Sequence, residues 1–166
     1  AGPGQLPLGE LSHGTSMAET ILRGLTVAGD TKEGTPVRIL PVDVYGGRAE
    51  TTSFEVAKGI YAAAQEGARI INLSLGSEGG SSFVQRIIEE AHKQGIVLVA
   101  AAGNSPVLTP TFPAAYPDVI AVTAGDKFGR IASYANRGEF VDVVAPGASV
   151  VHFNQQAYLG MGTSYS

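Results

Sequence analysis

At 166 residues, with 44% apolar and only 16% charged residues, the chain is one domain's worth of polypeptide with enough apolar surface to build a core. Its 15 acidic residues outnumber 11 scattered Lys and Arg, and the net charge of -4 offers no basic field for nucleic acid. The absence of cysteine excludes disulfides and thiolate zinc sites and leaves the redox compartment open.

The longest apolar runs, such as Gly95 to Ala102, are too short to cross a bilayer as helices, so no membrane partner is expected. The first residues lack a basic flank before an apolar core, which gives no signal peptide. The chain opens on Ala1 rather than Met, the mark of processing or of a piece of something longer.

Taken in order, the pattern predicts a helix from about His13 to Leu25, with Met17, Ile21 and Leu25 on one face and Glu19 and Arg23 spaced for an ion pair. That helix is expected to pack on a sheet. Val37 to Val44 reads as a strand. Thr52-Ser53-Phe54-Glu55 is a capping box opening a second helix, which places Phe54, Ala57, Ile60, Tyr61 and Ala64 inward and ends at Gly67. A strand from Arg69 to Leu75 leads to a third helix, with Ser82 as its cap, Phe83, Val84, Ile87, Ile88 and Ala91 as its buried face, and Gly95 as its exit. Ile96 to Ala102, Val119 to Ala124 and Phe140 to Val144 complete the strands. The four prolines between Ser105 and Pro117 remove too many amide donors for a helix or strand and make that segment a surface loop. Ala148 to Phe153 and Gln156 to Tyr158 read as a hairpin that runs into Gly160 to Ser166. Short Val- and Ile-rich strands alternating with helices describe one α/β domain, residues 1–166, built on a doubly wound parallel sheet covered on both faces.

Three segments carry groups suited to catalysis: Ser12-His13-Gly14-Thr15, Ala101-Ala102-Gly103-Asn104 and Gly160-Met161-Gly162-Thr163-Ser164. Each alone has a plain structural explanation, since glycines around a serine or asparagine usually mark a turn. Their order changes the reading. Together with Ile71-Asn72-Leu73-Ser74-Leu75-Gly76, Tyr116-Pro117-Asp118-Val119-Ile120-Ala121-Val122 and Val144-Ala145-Pro146-Gly147, they occur in the sequence found in subtilisin-like serine proteases, which this chain resembles from about Ser12 to Ser166.

The resemblance implies a three-layer αβα fold with a mainly parallel sheet. It also implies roles: His13 as general base, Ser164 as nucleophile and Asn104 as side-chain donor of the oxyanion hole. The chemistry suits those residue types. A serine hydroxyl becomes a useful nucleophile when an imidazole takes its proton, and the tetrahedral oxyanion needs preorganised donors. Ser74, Leu75 and Gly76 are expected to pair with an extended peptide, and Ala101, Ala102 and Gly103 to form one wall of the pocket for the residue before the scissile bond. The implied partner is a peptide or protein substrate, and the implied location is extracytoplasmic. The chemistry requires no cofactor, no metal ligand set is found, and no clustered carboxylate loop supports structural calcium.

The chain departs from the family at both ends. The triad carboxylate belongs on a strand before the histidine motif, yet Ala1 to Ser12 contain no aspartate, and Glu10 is too close to His13 to serve. Asp43 follows the histidine helix and reads as a turn residue. After Ser164 only Tyr165 and Ser166 remain, so the helix that should follow the nucleophile is missing. Gly14-Thr15-Ser16-Met17-Ala18 copies the nucleophile motif, but no Pro-His pair follows it, and Ser16 reads as a packed helical residue. The expected function is a serine endopeptidase working through an acyl-enzyme, with this chain alone inactive; the alternative is a pseudoprotease that binds peptides without cutting them. Surfaces left open by the missing elements predict self-association or pairing with a complementary fragment.

Overall fold

A computed structural model describes residues 11–28 and 36–166. In chain order the elements are α1 (His13–Ala28), α2 (Ser53–Gln65), β1 (Ile70–Leu73), α3 (Ser82–Lys93), β2 (Val97–Ala101), β3 (Val119–Gly125), β4 (Val143–Pro146), β5 (Ala148–Phe153), β6 (Gln156–Met161) and a terminal 3-10 turn at Thr163–Tyr165.

Strands β1 to β4 form a parallel sheet in sequence order, with Ile70 opposite Val97, Val99 opposite Ile120 and Val122 opposite Val143. Because side chains alternate across a strand, Ile71 and Leu73 of β1, Leu98 and Ala100 of β2, and Val119 and Ala121 of β3 point to one face. There they meet Val56, Ala57, Ile60 and Ala63 of α2 and Val84, Ile88 and Ala91 of α3, which together make the main core. The opposite face is partly bare, with Ile70 67%, Val97 43%, Ile120 41% and Val143 44% exposed.

The ends of α2 and α3 follow from local chemistry. Thr52 accepts from the Glu55 amide at 3.2 Å, and Ser81, one residue before the expected cap, accepts from Val84 at 3.4 Å. Gly67 and Gly95 leave the helices at φ +82° and +80°. Phe54 and Tyr61, expected inside, are 60% and 57% exposed. In the buried stripe of α2 the small residues Ala57, Gly59 and Ala63 accompany Val56 and Ile60, and the large rings lie at its margins. Phe54 stacks there on Phe83 of α3, itself also exposed, with centroids 6.2 Å apart.

Three other expectations are corrected. Residues 37–43 form no strand, although the apolar run is clear. Among the described residues the sheet ends at β1, and residues 37–43 do not join its edge as a strand. Val42 and Val44 lean instead on Gly59 of α2, where an added Cβ would lie 2.6 Å from a Val44 methyl. The last strand of the sheet is Val143–Pro146 rather than Phe140 to Val144, because residues 138–140 turn and Phe140 packs against the core. Helix α1 packs chiefly on β5 rather than on the sheet, held by Thr20 on Ser149 at 3.2 Å and by Glu19 accepting the His152 amide at 2.9 Å.

The antiparallel pair β5 and β6 runs in register from Ala148 opposite Met161 to Phe153 opposite Gln156. Asn154 and Gln155 close it at φ +48° and +63°, the two left-handed residues of a tight hairpin turn.

Candidate active site

In a parallel sheet the carboxyl ends of adjacent strands lie along one edge, and the segments following β1, β2 and β3 therefore lie side by side. Ser74 to Gly76 follow β1, Gly103 and Asn104 follow β2, and Ser164 arrives beside them from β6 through the terminal turn.

The junction between Asn104 and the turn that carries Ser164 is closely bonded. Asn104 Oδ1 accepts from the Thr163 amide at 2.8 Å and the Thr163 hydroxyl at 3.1 Å, while that hydroxyl also accepts from the Gly103 amide at 3.1 Å. With Oδ1 occupied twice, the NH2 end of the Asn104 side chain remains as a donor. Gly162, at φ +148°, leaves room for it: a Cβ there would sit 3.4 Å from Asn104 Nδ2.

Ser74 joins His13 to Ser164. His13 Nε2 lies 3.1 Å from the Ser74 carbonyl, and the Ser74 hydroxyl reaches the Ser164 carbonyl at 3.5 Å. A carbonyl only accepts, so in this contact Nε2 is the donor. While it donates to Ser74, Nε2 has no lone pair with which to take a proton. Among the described residues no carboxylate bonds to His13, and no hydrogen bond links His13 to the Ser164 hydroxyl.

The histidine motif also has a structural purpose. The Ser12 hydroxyl accepts the Thr15 amide at 3.0 Å and so caps α1, fixing the helix start on which His13 sits. Ser16 is 3% exposed, its hydroxyl donating to Ser12 O at 3.0 Å, which makes it a helical packing residue. Asp43 accepts the Tyr45 and Gly46 amides at 2.8 and 3.0 Å and is a turn residue. Glu10 lies outside the described residues.

The expected substrate-binding residues divide by exposure. Gly76 is open and Leu75 half-buried, and both line a concavity of about 440 Å³ with Thr52, Val84, Phe112 and Tyr116. Ser77 and Phe112 exchange backbone bonds of 2.8 and 2.9 Å, joining the proline-rich loop to the end of β1. Ala101 and Gly103 are half-buried, but the Ala102 side chain is fully buried and its backbone is engaged by Val122 and Thr111, so it packs behind the wall.

Two site residues escape a reading of the sequence. Thr163 stands within Gly160 to Ser164, yet nothing in that motif announces its bonds to Gly103 and Asn104. Asn136, 1% exposed, accepts the Ser105 amide at 2.8 Å and donates its own amide to Gly103 O at 2.9 Å, clamping the turn that presents Asn104. Its segment, Tyr134-Ala135-Asn136-Arg137, carries no signal beyond a loop.

Residues 1–166 match the sequence model of the subtilase family. A thermophilic serine proteinase from Bacillus sp. (strain AK1) is 38% identical over 95% of this chain and 40% of its own length. Thermitase from Thermoactinomyces vulgaris is 37% identical over 84% of the chain and 50% of its own length. The chain thus spans half or less of these relatives. The self-cleaved protease domain of PatA superposes with a TM-score of 0.76 at 27% identity, covering 98% of this chain and 65% of that one. A cold-adapted subtilisin-like serine proteinase gives 0.72 at 28% identity over 80% of this chain and 50% of that one.

Proposed function

Since the chain belongs to the subtilase family, we propose that it is part of a serine endopeptidase domain in which Ser164 is the nucleophile, His13 the general base and Asn104 the oxyanion donor. The observation that carries this reading is the paired bond from Thr163 to Asn104 Oδ1, which joins residues 59 apart in sequence and turns the Asn104 amide toward the nucleophile turn. Attack by Ser164 Oγ on a peptide carbonyl, with its proton passing to His13, gives a tetrahedral oxyanion that Asn104 Nδ2 and the Ser164 amide are suited to hold. Return of that proton to the departing amine leaves the acyl-enzyme, which water then hydrolyses. The 166-residue chain is one partial domain with little activity of its own, because no described carboxylate orients His13 and the ring rests on Ser74. Its place of action is extracytoplasmic, in keeping with the subtilisin resemblance, and no described helix is long and apolar enough to cross a membrane.

The His13 posture favours a second reading, a peptide-binding pseudoprotease built on the Ser74 to Gly76 edge. Treating the product of the complete reading frame with a fluorophosphonate probe separates the two. Modification mapped to Ser164 by mass spectrometry is expected for the endopeptidase; an unmodified Ser164 sinks it and leaves the binding module.

A further inference from the structure

The loop between β3 and β4 holds an arginine that neither the core nor the site above employs. The Nε of Arg137 is buried with no hydrogen-bond partner, and its side chain pairs with no carboxylate among the described residues. Arg137 as a whole is half-buried, and its cation is left without a counter-charge among the described residues. Arg137 lines a concavity of about 620 Å³ together with Asp126, Arg130, Ser133, Tyr134 and Met161.

Asp126 is not that counter-charge. Its Oδ1 accepts the Phe128 and Arg130 amides at 2.8 and 3.0 Å, and its Oδ2 is held by Arg130 Nε and a terminal guanidinium nitrogen at 3.0 and 2.9 Å. Asp126 and Arg130 therefore neutralise each other, and the positive charge left in the concavity is that of Arg137.

The concavity adjoins the nucleophile. Tyr134 Oη and the Gly162 amide donate to the same Gly147 carbonyl, at 2.9 and 3.0 Å, and Met161 stands three residues before Ser164. Along the carboxyl edge of the sheet, Asn104 after β2 stands between the Ser74 to Gly76 segment after β1 and the Arg137 loop after β3. A peptide whose acyl half lies on Ser74 to Gly76, and whose carbonyl meets Asn104, carries its leaving-group half toward Arg137.

We propose that this concavity is a subsite for a carboxylate in the leaving-group half of the peptide, with Arg137 as the specificity-determining residue. The proposal rests on the endopeptidase reading of the cleft.

The test is fluorescence anisotropy of the 166-residue chain with amidated octapeptides that share one amino-terminal half and carry Glu, Gln or Lys in the other. A fourth peptide, the Gln sequence with a free carboxyl terminus, distinguishes a side-chain carboxylate from a terminal one. Either carboxylate peptide is expected to bind about tenfold more tightly than amidated Gln, the scale of one charge-assisted hydrogen bond. Arg137→Gln is expected to abolish that preference while leaving Gln-peptide binding intact, whereas Lys127→Gln, an equal charge change on an exposed residue outside the concavity, is expected to keep it. Equal binding of all four peptides, or equal loss of preference in both variants, overturns the subsite and leaves the peptide cleft standing. If even the neutral peptide fails to bind, the cleft reading falls and the subsite falls with it.

Discussion

Thr163 shows how one hydroxyl can tie together two turns far apart in the sequence. It is 2% exposed, accepts from Gly103 N and donates to Asn104 Oδ1, so it ties the Ser164 turn to the Asn104 turn. Thr163→Val keeps the shape and removes both bonds, leaving the Gly103 amide unpaired in a half-buried place. A loss of about 1–3 kcal/mol is expected in urea unfolding, with an unchanged denaturant slope; full retention of stability would show that the hydroxyl is no anchor. Gly103 explains why the turn tolerates so little change, since it sits at φ +107° with an added Cβ only 2.6 Å from Asn136 Nδ2. His13, Asn104 and Ser164, the residues proposed to bear chemistry, each stand in a motif with a recognisable order, which is what made them candidates in the sequence. Asn136 was not legible there, because its importance comes from bonds to residues more than 30 positions away in the chain, Gly103 and Ser105.

Helices and strands were legible to different degrees for a physical reason. The bounds of α2 and α3 rest on local chemistry, a capping hydroxyl at one end and a left-handed glycine at the other, and were read closely. Residues 37–43 have the apolar content of a strand, but a strand is defined by a neighbour, and among the described residues the sheet ends at β1. The placing of α1 on β5 was equally hidden, since it depends on a long-range cluster of Glu19, Arg23 and His152. Glu19 accepts the His152 amide and pairs with Arg23 at 3.2 Å, while the Arg23 guanidinium donates to His152 Nδ1. Partial burial works against the Glu19 charge, but the bonds from His152 and Arg23 outweigh it and hold its pKa below the ordinary glutamate range. A lowered folded-state pKa stabilises fully above the unfolded value, about 4.3, and that contribution fades as pH falls through the folded value. Wild type should therefore be more stable than Glu19→Gln near neutrality, with the gap closing in acid. Thermal melts across that range measure it, and a gap independent of pH would show that the carboxylate charge is not what holds α1 to the hairpin.

At the scale of the molecule, two surfaces are left open among the described residues, the β1 edge and the apolar sheet face bearing Ile70, Val97, Ile120 and Val143. Unpaired edges and contiguous apolar faces drive association. Light scattering of the purified chain is expected to show oligomers that grow with concentration, and a monodisperse monomer would count against this. The sheet with α2 and α3 forms one packed body, while α1 with the β5–β6 hairpin forms a second, and the bonds of Gly103, Asn104 and Thr163 lie on the seam between them. The Thr163 amide is thereby a natural reporter. Its deuterium uptake should track the parting of the two bodies and run faster than that of central β2 amides, which await opening of the sheet itself. Matching rates for the two would mean that the chain opens as a single unit.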